Sequence, residues 1–591
     1  MYILGICNGY IANATLLKGG KVVASASEER FNGIKSYNGF PKMAIEWCLK
    51  EAGINGKNLD LVTLPYLTRP PFSAGGEEKS KFKSISFLVF SIVKLDIVRQ
   101  YFRKLRYYFP FLRFPGMVLY RISAFIIGTY YTKKQKEFIS NFLKIDKKKI
   151  KAYDHHLSHA AASYYASPFN KEKALVLTLD GEGDNYCASV NIFKRNEIKV
   201  LAKTPREFSF GYIFAHLTKF LGMKPHEHEY KVMGLAPYAR KEDVDRIYNK
   251  IKYCITLNKK NKLKFYMPKN AQDFGIYLRK NLLEVRFDHL AGAFQALLEE
   301  RVLEWIKHAI KVTGISNIVL GGGVFMNVKL NQKIAELEEV KKIFILPSCG
   351  DESAPLGSCY LGLREIFLHD KEVAHPSPIE NVYWGPRCSP GELEKDIEDA
   401  RRRGHKVKRV KGIEKEIAIL LSKGKVVAHF SSNMEFGARA LGNRSLLADP
   451  RNIQIVKDIN MKMKNRDFWM PFAPTILWER ANDYIINTKK LESPYMMIAF
   501  DTTELGKKEL ISAMHQYDST VRAQLLTEGM NGRYYKILKE FEKLTGVGGV
   551  LNTSFNLHGH PIVKSPKDAL FAFEHSGLEY LVLEEYLLEK K

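Results

Sequence analysis

The chain has 591 residues, 46% of them apolar and 26% charged, with a formal net charge of +27. That length exceeds what one hydrophobic core organises, and that apolar fraction excludes an intrinsically disordered chain, so two or more globular domains are expected. The seven cysteines are scattered without a C-x-x-C pair, which excludes a disulfide framework or a zinc knuckle and fits a reducing cytoplasm.

The N-terminal segment MYILGICNG has no basic stretch followed by a long apolar core and reads as a strand, so no export signal is expected. It opens a pattern. YILGICNG and then ATLLKGGKVVASAS give a strand, a glycine turn, and two strands joined at KGGK.

The positive charge is uneven. From Lys79 to Lys134 there are twelve Lys or Arg against one acid, Asp96, interleaved with fourteen aromatics. The apolar runs Ile85 to Val93 and Ile122 to Tyr131 are shorter than the about 20 residues a spanning helix needs. Two readings of this insertion, about 70–140, stay open. It is a helical insertion whose aromatics pack on the main domain, or a surface that touches a membrane or an anionic substrate.

DHHLSHAAASYY follows, where His155 and His159 lie four apart and share one helical face, as metal-chelating His pairs do. His156 lies three before His159, which leaves the register ambiguous. The opening pattern then recurs: ALVLTLDGEGD, then NYCASVNIFKRNEIKVLAK, again gives a strand, a Gly/Asp turn and two strands. Two three-strand meanders, each followed by helical sequence, predict a duplicated α/β domain with its site in the cleft between halves, the logic of actin-like ATPases and sugar kinases. Asp180 and Asp351 end predicted buried strands at glycine turns. Two histidines with such carboxylates suit iron, manganese or zinc. The glycines Gly321, Gly322 and Gly323, leading to Asn327, form a turn whose backbone N–H groups can approach a phosphate or nucleotide.

Prolines cluster from His375 to Glu392, which predicts a boundary, with domains at 1–370 and 371–591. The second domain reads as α/β and carries a set of phosphate-binding candidates. These are Arg439, Arg444, Arg451, Lys464, Arg466 and Arg522, with Asn552 and Ser554. The planar guanidinium fork binds phosphate oxygens in pairs, and glycine loops add backbone donors. An ATP or acyl-phosphate site follows.

Ten ordered strings, from about residue 2 to about residue 585, carry a family resemblance: EERF with Lys35, DHHLSHAAASYYASPF, LDGEGD, EYKVMGLAPYA, GGGVFMNVKLN, GDES, EFGARALGNRSLLADPR, MPFAPTIL, DSTVRAQ and LNTSFN. The chain resembles the carbamoyltransferases of the nodulation-protein and antibiotic O-carbamoylation type. That resemblance implies an actin-like (ASKHA, ribonuclease-H-like) N-terminal domain fused to a YrdC-like α/β domain. The YrdC-like domain would make carbamoyl-adenylate from carbamoyl phosphate and ATP, with magnesium, and the actin-like domain would pass the carbamoyl group to a hydroxyl on a small molecule or glycan. It implies a divalent ion, iron first, on His155, His159, Asp180 and Asp351. It also implies catalytic roles for Lys35, Glu229 and Lys231, and nucleotide or phosphate contacts from Gly321, Gly322, Gly323, Asn327, Arg439, Asn443, Arg444, Lys464, Arg466, Arg522, Asn552 and Ser554. A cytoplasmic enzyme is expected, with peripheral membrane contact and a homodimer both admitted.

The chain also departs from the family pattern. Tyr10 and Ile11 stand where the family's Gly-His-Asp-x-Ser places His and Asp, Met470 stands where arginine is common, and His560 where an acid is usual. Altered acceptor chemistry is the expectation. The competing readings are a tRNA threonylcarbamoylation-type or other nucleic-acid-directed enzyme, and a non-catalytic membrane-associated relative. Hydrogenase-maturation carbamoylation is disfavoured by the missing cysteine pairs.

Overall fold

The computed structural model describes residues 1–68, 105–109, 113–370 and 375–591. The described chain divides into two compact units. Unit 1 is Met1–Glu28 with Ser36–Ile379, and unit 2 is Glu380–Lys591 together with the short strap Glu29–Lys35.

Unit 1 is built on two five-stranded sheets of one design. In the first, β1 (Tyr2–Cys7), β2 (Asn13–Lys18) and β3 (Lys21–Ser27) form an antiparallel meander, and β4 (Leu61–Leu64) and β5 (Ile150–Ala152) add in parallel, in the order β3-β2-β1-β4-β5. In the second, β6 (Lys173–Gly183), β7 (Tyr186–Lys194) and β8 (Glu197–Pro205) repeat the meander. After a two-strand hairpin, β9 (Thr256–Leu257) with β10 (Phe265–Tyr266), the parallel pair β11 (Asn317–Gly321) and β12 (Lys342–Ile345) completes the order β12-β11-β6-β7-β8. The two halves are the same topology read twice, which is the duplicated actin-like fold. Their central strands are almost fully buried, as parallel-edged sheets covered on both faces must be.

Each half ends in a helix, His155–Ala166 in the first and Ala354–His369 in the second, and these two pack on each other. Gly357 sets their separation. A Cβ there would lie 1.7 Å from the carbonyl oxygen of Ser158, so only glycine permits the approach.

The basic aromatic insertion is described at 105–109 and from 113 onward, while Ile85 to Val93, Arg103 and Lys104 lie outside the described residues. The run Ile122 to Tyr131 belongs to a helix of 31 residues, Arg113–Leu143. Arg106 makes a paired contact with the buried Asp273, Nε to Oδ2 at 2.9 Å and NH2 to Oδ1 at 2.8 Å. No helix among the described residues is long and apolar enough to cross a membrane.

Unit 2 holds an eight-stranded mixed sheet. Its strands are β13 (Lys406–Arg409), β14 (Val427–Phe430), β15 (Arg444–Ala448), β16 (Ala473–Leu477), β19 (Gln524–Leu526), β20 (Gly549–Ser554), β21 (Tyr580–Leu583) and β22 (Tyr586–Glu589), with a separate pair β17 (Phe500–Asp501) and β18 (Thr520–Val521). Alternate residues feed two cores. Ala428, Phe430, Leu446, Leu551 and Leu581 lie on one face, and Val427, Leu447, Val550 and Val582 on the other. The period-two alternation of two apolar sets is what a strand buried on both sides requires.

The strap Glu29–Lys35 is part of this unit. Arg30 is buried and its NH2 donates to the carbonyl of Gly437 at 3.0 Å, and Lys564 Nζ sits 5.2 Å over the ring of Phe31.

Candidate functional site

The His155–Ala166 helix begins at Asp154, whose Oδ1 accepts from Leu157 N at 2.9 Å and whose Oδ2 is paired with Lys203 at 2.6 Å. A capped, ion-paired first turn fixes where its histidines point. His155 and His159 are buried, and their Nε2 atoms lie 3.0 Å apart. Asp180, from the end of β6, places Oδ2 at 3.2 Å from His155 Nε2 and 3.5 Å from His159 Nε2. Asp351, from the loop after β12, places Oδ1 at 3.6 and 3.4 Å from the same nitrogens. Four potential ligand atoms from three separated segments thus lie within 4.8 Å of one another.

The electrostatics fit a cation. Burial alone would pull His155 down, but the Asp180 and Asp351 carboxylates raise it to about 10. Burial opposes the ionised form of Asp180, yet the two imidazoles hold it well below the usual carboxylate range. Without an ion the cluster therefore retains positive charge between its carboxylates, and Asp351 Oδ1 is too far from either ring for a good hydrogen bond and has no other partner. Two imidazole nitrogens and two carboxylate oxygens are a donor set for a borderline divalent ion. His156 resolves the register: its Nδ1 pairs with Thr178 Oγ1 at 2.9 Å, and burial lowers it to about 3. It faces the sheet rather than the cluster.

The surroundings hold this geometry. Asp184, which the sequence reading did not single out, accepts from His155 N at 2.9 Å and from Leu67 N and Thr68 N. Gly183 carries no side chain because a Cβ would lie 1.9 Å from the His155 ring. Gly323 N donates to Asp180 Oδ1 at 3.0 Å, so the glycine turn Gly321 to Gly323 abuts the cluster. Asn327 caps the Val328–Glu336 helix through Leu330 N and donates to Gln295 Oε1, which gives it structural work.

Tyr10 lies close enough to Asp351 to feel its charge. Burial raises the Tyr10 phenol, and the charges of Glu227, Glu229 and Asp351 add to the effect. Its hydroxyl donates to His226 O at 2.5 Å, and the two rings meet edge to face. Glu229 accepts from His226 N at 2.6 Å, and burial raises its carboxyl. Ile11 has φ +52, a conformation that asparagine and aspartate adopt readily and a β-branched residue only with strain. Glu229 and Lys231 share the Glu229–Leu235 helix of unit 1, whereas Lys35 belongs to unit 2.

In unit 2 the central group is Lys464. It ends a π-helical turn, Asn460–Lys464, followed by Asn465 at φ +42, and such turns often mark functional sites. Its buried ammonium donates to Ser554 O, Ser554 Oγ (3.2 Å), Asn556 O (3.1 Å) and Asn556 Oδ1 (2.7 Å). Burial pushes it well below the usual lysine range, and the positive charges of Arg466 and Lys35 push further. Arg466 lies 4.9 Å over the Phe472 ring and donates to Thr553 Oγ1 at 3.1 Å. Three cations thus act on one point in a pocket of neutral oxygens. Asn556 was missed in the sequence, although Ser554 and Asn556 are two apart, as are Lys464 and Arg466.

The other expected phosphate ligands have the following protein partners. Arg444 has no exposed surface. Its NH1 and NH2 donate to the carbonyls of Ser431, Asn443, Pro386 and Ser432, and its guanidinium stacks 3.6 Å over Phe430. These four carbonyls occupy the N–H groups of both terminal nitrogens. Glu435 Oε1 accepts from the N–H groups of Leu441, Asn443 and Arg444, which folds the glycine-rich loop around a carboxylate. Asn443 bonds Asn433 and Asn531, and Asn552 donates to Ala440 O and Thr475 Oγ1. Arg451 pairs with Asp449. Arg439 and Arg522 are partly exposed.

A family model described as Carbamoyltransferase N-terminus matches residues 2–360, and one described as Carbamoyltransferase C-terminus matches residues 418–590. An uncharacterized protein of Methanocaldococcus jannaschii is 33% identical over 100% of this chain and 99% of its own length. The nodulation protein NolNO of Sinorhizobium fredii is 30% identical over 98% of this chain and 78% of its own. Among solved structures, HypF of T. kodakarensis aligns with 63% of this chain and 48% of its own, at 14% identity and a TM-score of 0.32. With both family halves matched in order along most of the chain, and with one relative aligned end to end, the chain belongs to the carbamoyltransferase family and is a carbamoyl-transferring enzyme.

Proposed function

We propose that unit 2, a YrdC-like domain, makes carbamoyl-adenylate and that unit 1 transfers the carbamoyl group to an acceptor hydroxyl on a small molecule or glycan. The observation that carries this reading is Lys464. Burial and the positive charges of Arg466 and Lys35 disfavour its ammonium form, and a phosphate dianion nearby would offset both. Carbamoyl phosphate would supply that dianion. Cleavage of its phosphate bond by water releases phosphate and carbamate, and the carbamate oxygen attacks the α-phosphorus of ATP and displaces pyrophosphate. Carbamate is a poor electrophile, and the mixed anhydride with AMP activates its carbonyl. Lys464, Arg466 and Lys35 would stabilise the charge that develops on phosphate oxygens.

In unit 1, His155, His159, Asp180 and Asp351 would hold one divalent ion, with iron first and manganese or zinc as alternatives. When bound, it would supply a positive charge that polarises the carbamoyl donor. Glu229, whose pKa is raised by burial, would accept a proton from an acceptor hydroxyl as the carbonyl is attacked and AMP leaves. Tyr10 takes up space where the family carries a smaller polar pair, which supports a changed acceptor rather than a lost activity.

The test is carbamoyl-phosphate-dependent exchange of labelled pyrophosphate into ATP. Lys464→Met should lower the exchange by at least about a hundredfold, as loss of a preorganised charge does, with melting temperature retained. Exchange at the wild-type rate in that variant, or exchange independent of carbamoyl phosphate, contradicts the reading.

A further inference from the structure

The face of unit 1 around residues 105–109 carries chemistry that carbamoyl transfer does not use. Arg106 fastens this turn to the buried Asp273. Tyr107 is itself buried, with Lys269 Nζ bonded to its carbonyl at 2.9 Å and lying 4.5 Å over its ring. With those two residues fixed inward, Tyr108 and Phe109 face solvent, 57% and 50% exposed. Two more exposed apolar side chains belong to chain segments that touch Tyr107. Leu283 is 69% exposed and follows Asn281, which bonds Tyr107, and Tyr253 is 69% exposed and precedes Cys254, which lies close enough to Tyr107 to influence its ionisation.

Cations ring these tips. Lys280 Nζ lies 5.1 Å over the Tyr108 ring and Lys252 Nζ lies 5.4 Å over the Tyr253 ring. The surrounding sequence, Lys250 to Arg286, contains ten lysines and arginines and two acids, Asp273 and Glu284. Asp273 is already neutralised by Arg106, so the surface is strongly positive.

We propose that this face docks on an anionic lipid bilayer surface, with Tyr108, Phe109, Tyr253 and Leu283 at the headgroup boundary and Lys252 and Lys280 against lipid phosphates. Aromatic rings favour that boundary because one end is apolar and the other wet. An aliphatic side chain such as Leu283 gains from burial in acyl chains and offers a nucleic-acid base no stacking face, so lipid fits better than RNA. No described helix crosses a membrane, and the attachment is to the surface.

The test is co-sedimentation of the full chain with vesicles of phosphatidylcholine mixed with phosphatidylglycerol, against phosphatidylcholine alone, at low and moderate salt. Wild type should pellet with the anionic vesicles and less so as salt rises. Lys252→Gln with Lys280→Gln should lower partitioning about thirtyfold, since each lysine near an anionic surface is worth about a factor of five to ten. Tyr108→Ser with Leu283→Ser should lower it at least about tenfold. These side chains are exposed, and pyrophosphate exchange should be unchanged in both double variants. Failure of wild type to prefer anionic vesicles overturns the proposal. So does wild-type partitioning in both double variants, or competition by polyuridylate that the serine pair does not alter, which would mark a nucleic-acid surface.

Discussion

Two buried residues in the motif strings carry opposite lessons. His155 is raised to about 10 by the carboxylates that overcome its burial, so the ion-free cluster holds a proton at neutral pH that a metal ion must displace. Metal affinity should therefore rise with pH, about tenfold per pH unit for each proton displaced, up to about pH 10. Calorimetry in buffers of different ionisation enthalpy reads this directly, and an affinity flat from pH 6 to 9 would show that the cluster binds no ion through His155. Arg444, by contrast, joins four carbonyls inside the fold. Arg444→Ala should cost about 3 to 5 kcal/mol, the scale for stranding partners of a buried charge, and Arg444→Lys should not recover it because an ammonium cannot span both pairs of acceptors. Chemical denaturation of the two variants checks this, and a stable Arg444→Ala protein with lost pyrophosphate exchange would return the residue to substrate binding.

At the scale of elements, much was legible. The repeated strand, Gly/Asp turn and meander announced two copies of one sheet, because glycine turns and period-two alternation are local signals. His155 and His159 were legible from their spacing, and strand ends pointed to Asp180 and Asp351. What was not legible depends on distance along the chain. The strap Glu29–Lys35 packs with unit 2 through Arg30 and Phe31, and no local pattern in EERFNGIK shows it. The carbonyl partners of Arg444 were not legible for a related reason: glycines beside arginines look alike whether the loop wraps phosphate or a guanidinium. The Tyr10 and Ile11 departure was visible, but the positive φ of Ile11 was not. Helix packing adds one sharp test. Gly357→Ala would drive a Cβ to 1.7 Å from Ser158 O, so the helices must separate, and a loss of at least about 2 kcal/mol is expected, toward the upper range for overpacking. Because Ser158 precedes His159, the metal content of Gly357→Ala should fall as well. Unchanged melting and metal content would mean the helix pair tolerates a shift that this geometry forbids.

At the scale of the molecule, the chain keeps two kinds of site on two folded units: a two-histidine, two-carboxylate cluster on the duplicated actin-like fold, and a triple cation around Lys464 on the eight-stranded sheet. The central claim is that these perform successive steps. The most direct measurement incubates wild type, His159→Ala and Lys464→Met with ATP and isotopically labelled carbamoyl phosphate, and quantifies labelled carbamoyl-adenylate by rapid quench and mass spectrometry. The account predicts labelled adenylate in His159→Ala and none in Lys464→Met. Adenylate formed by Lys464→Met and absent from His159→Ala would contradict it.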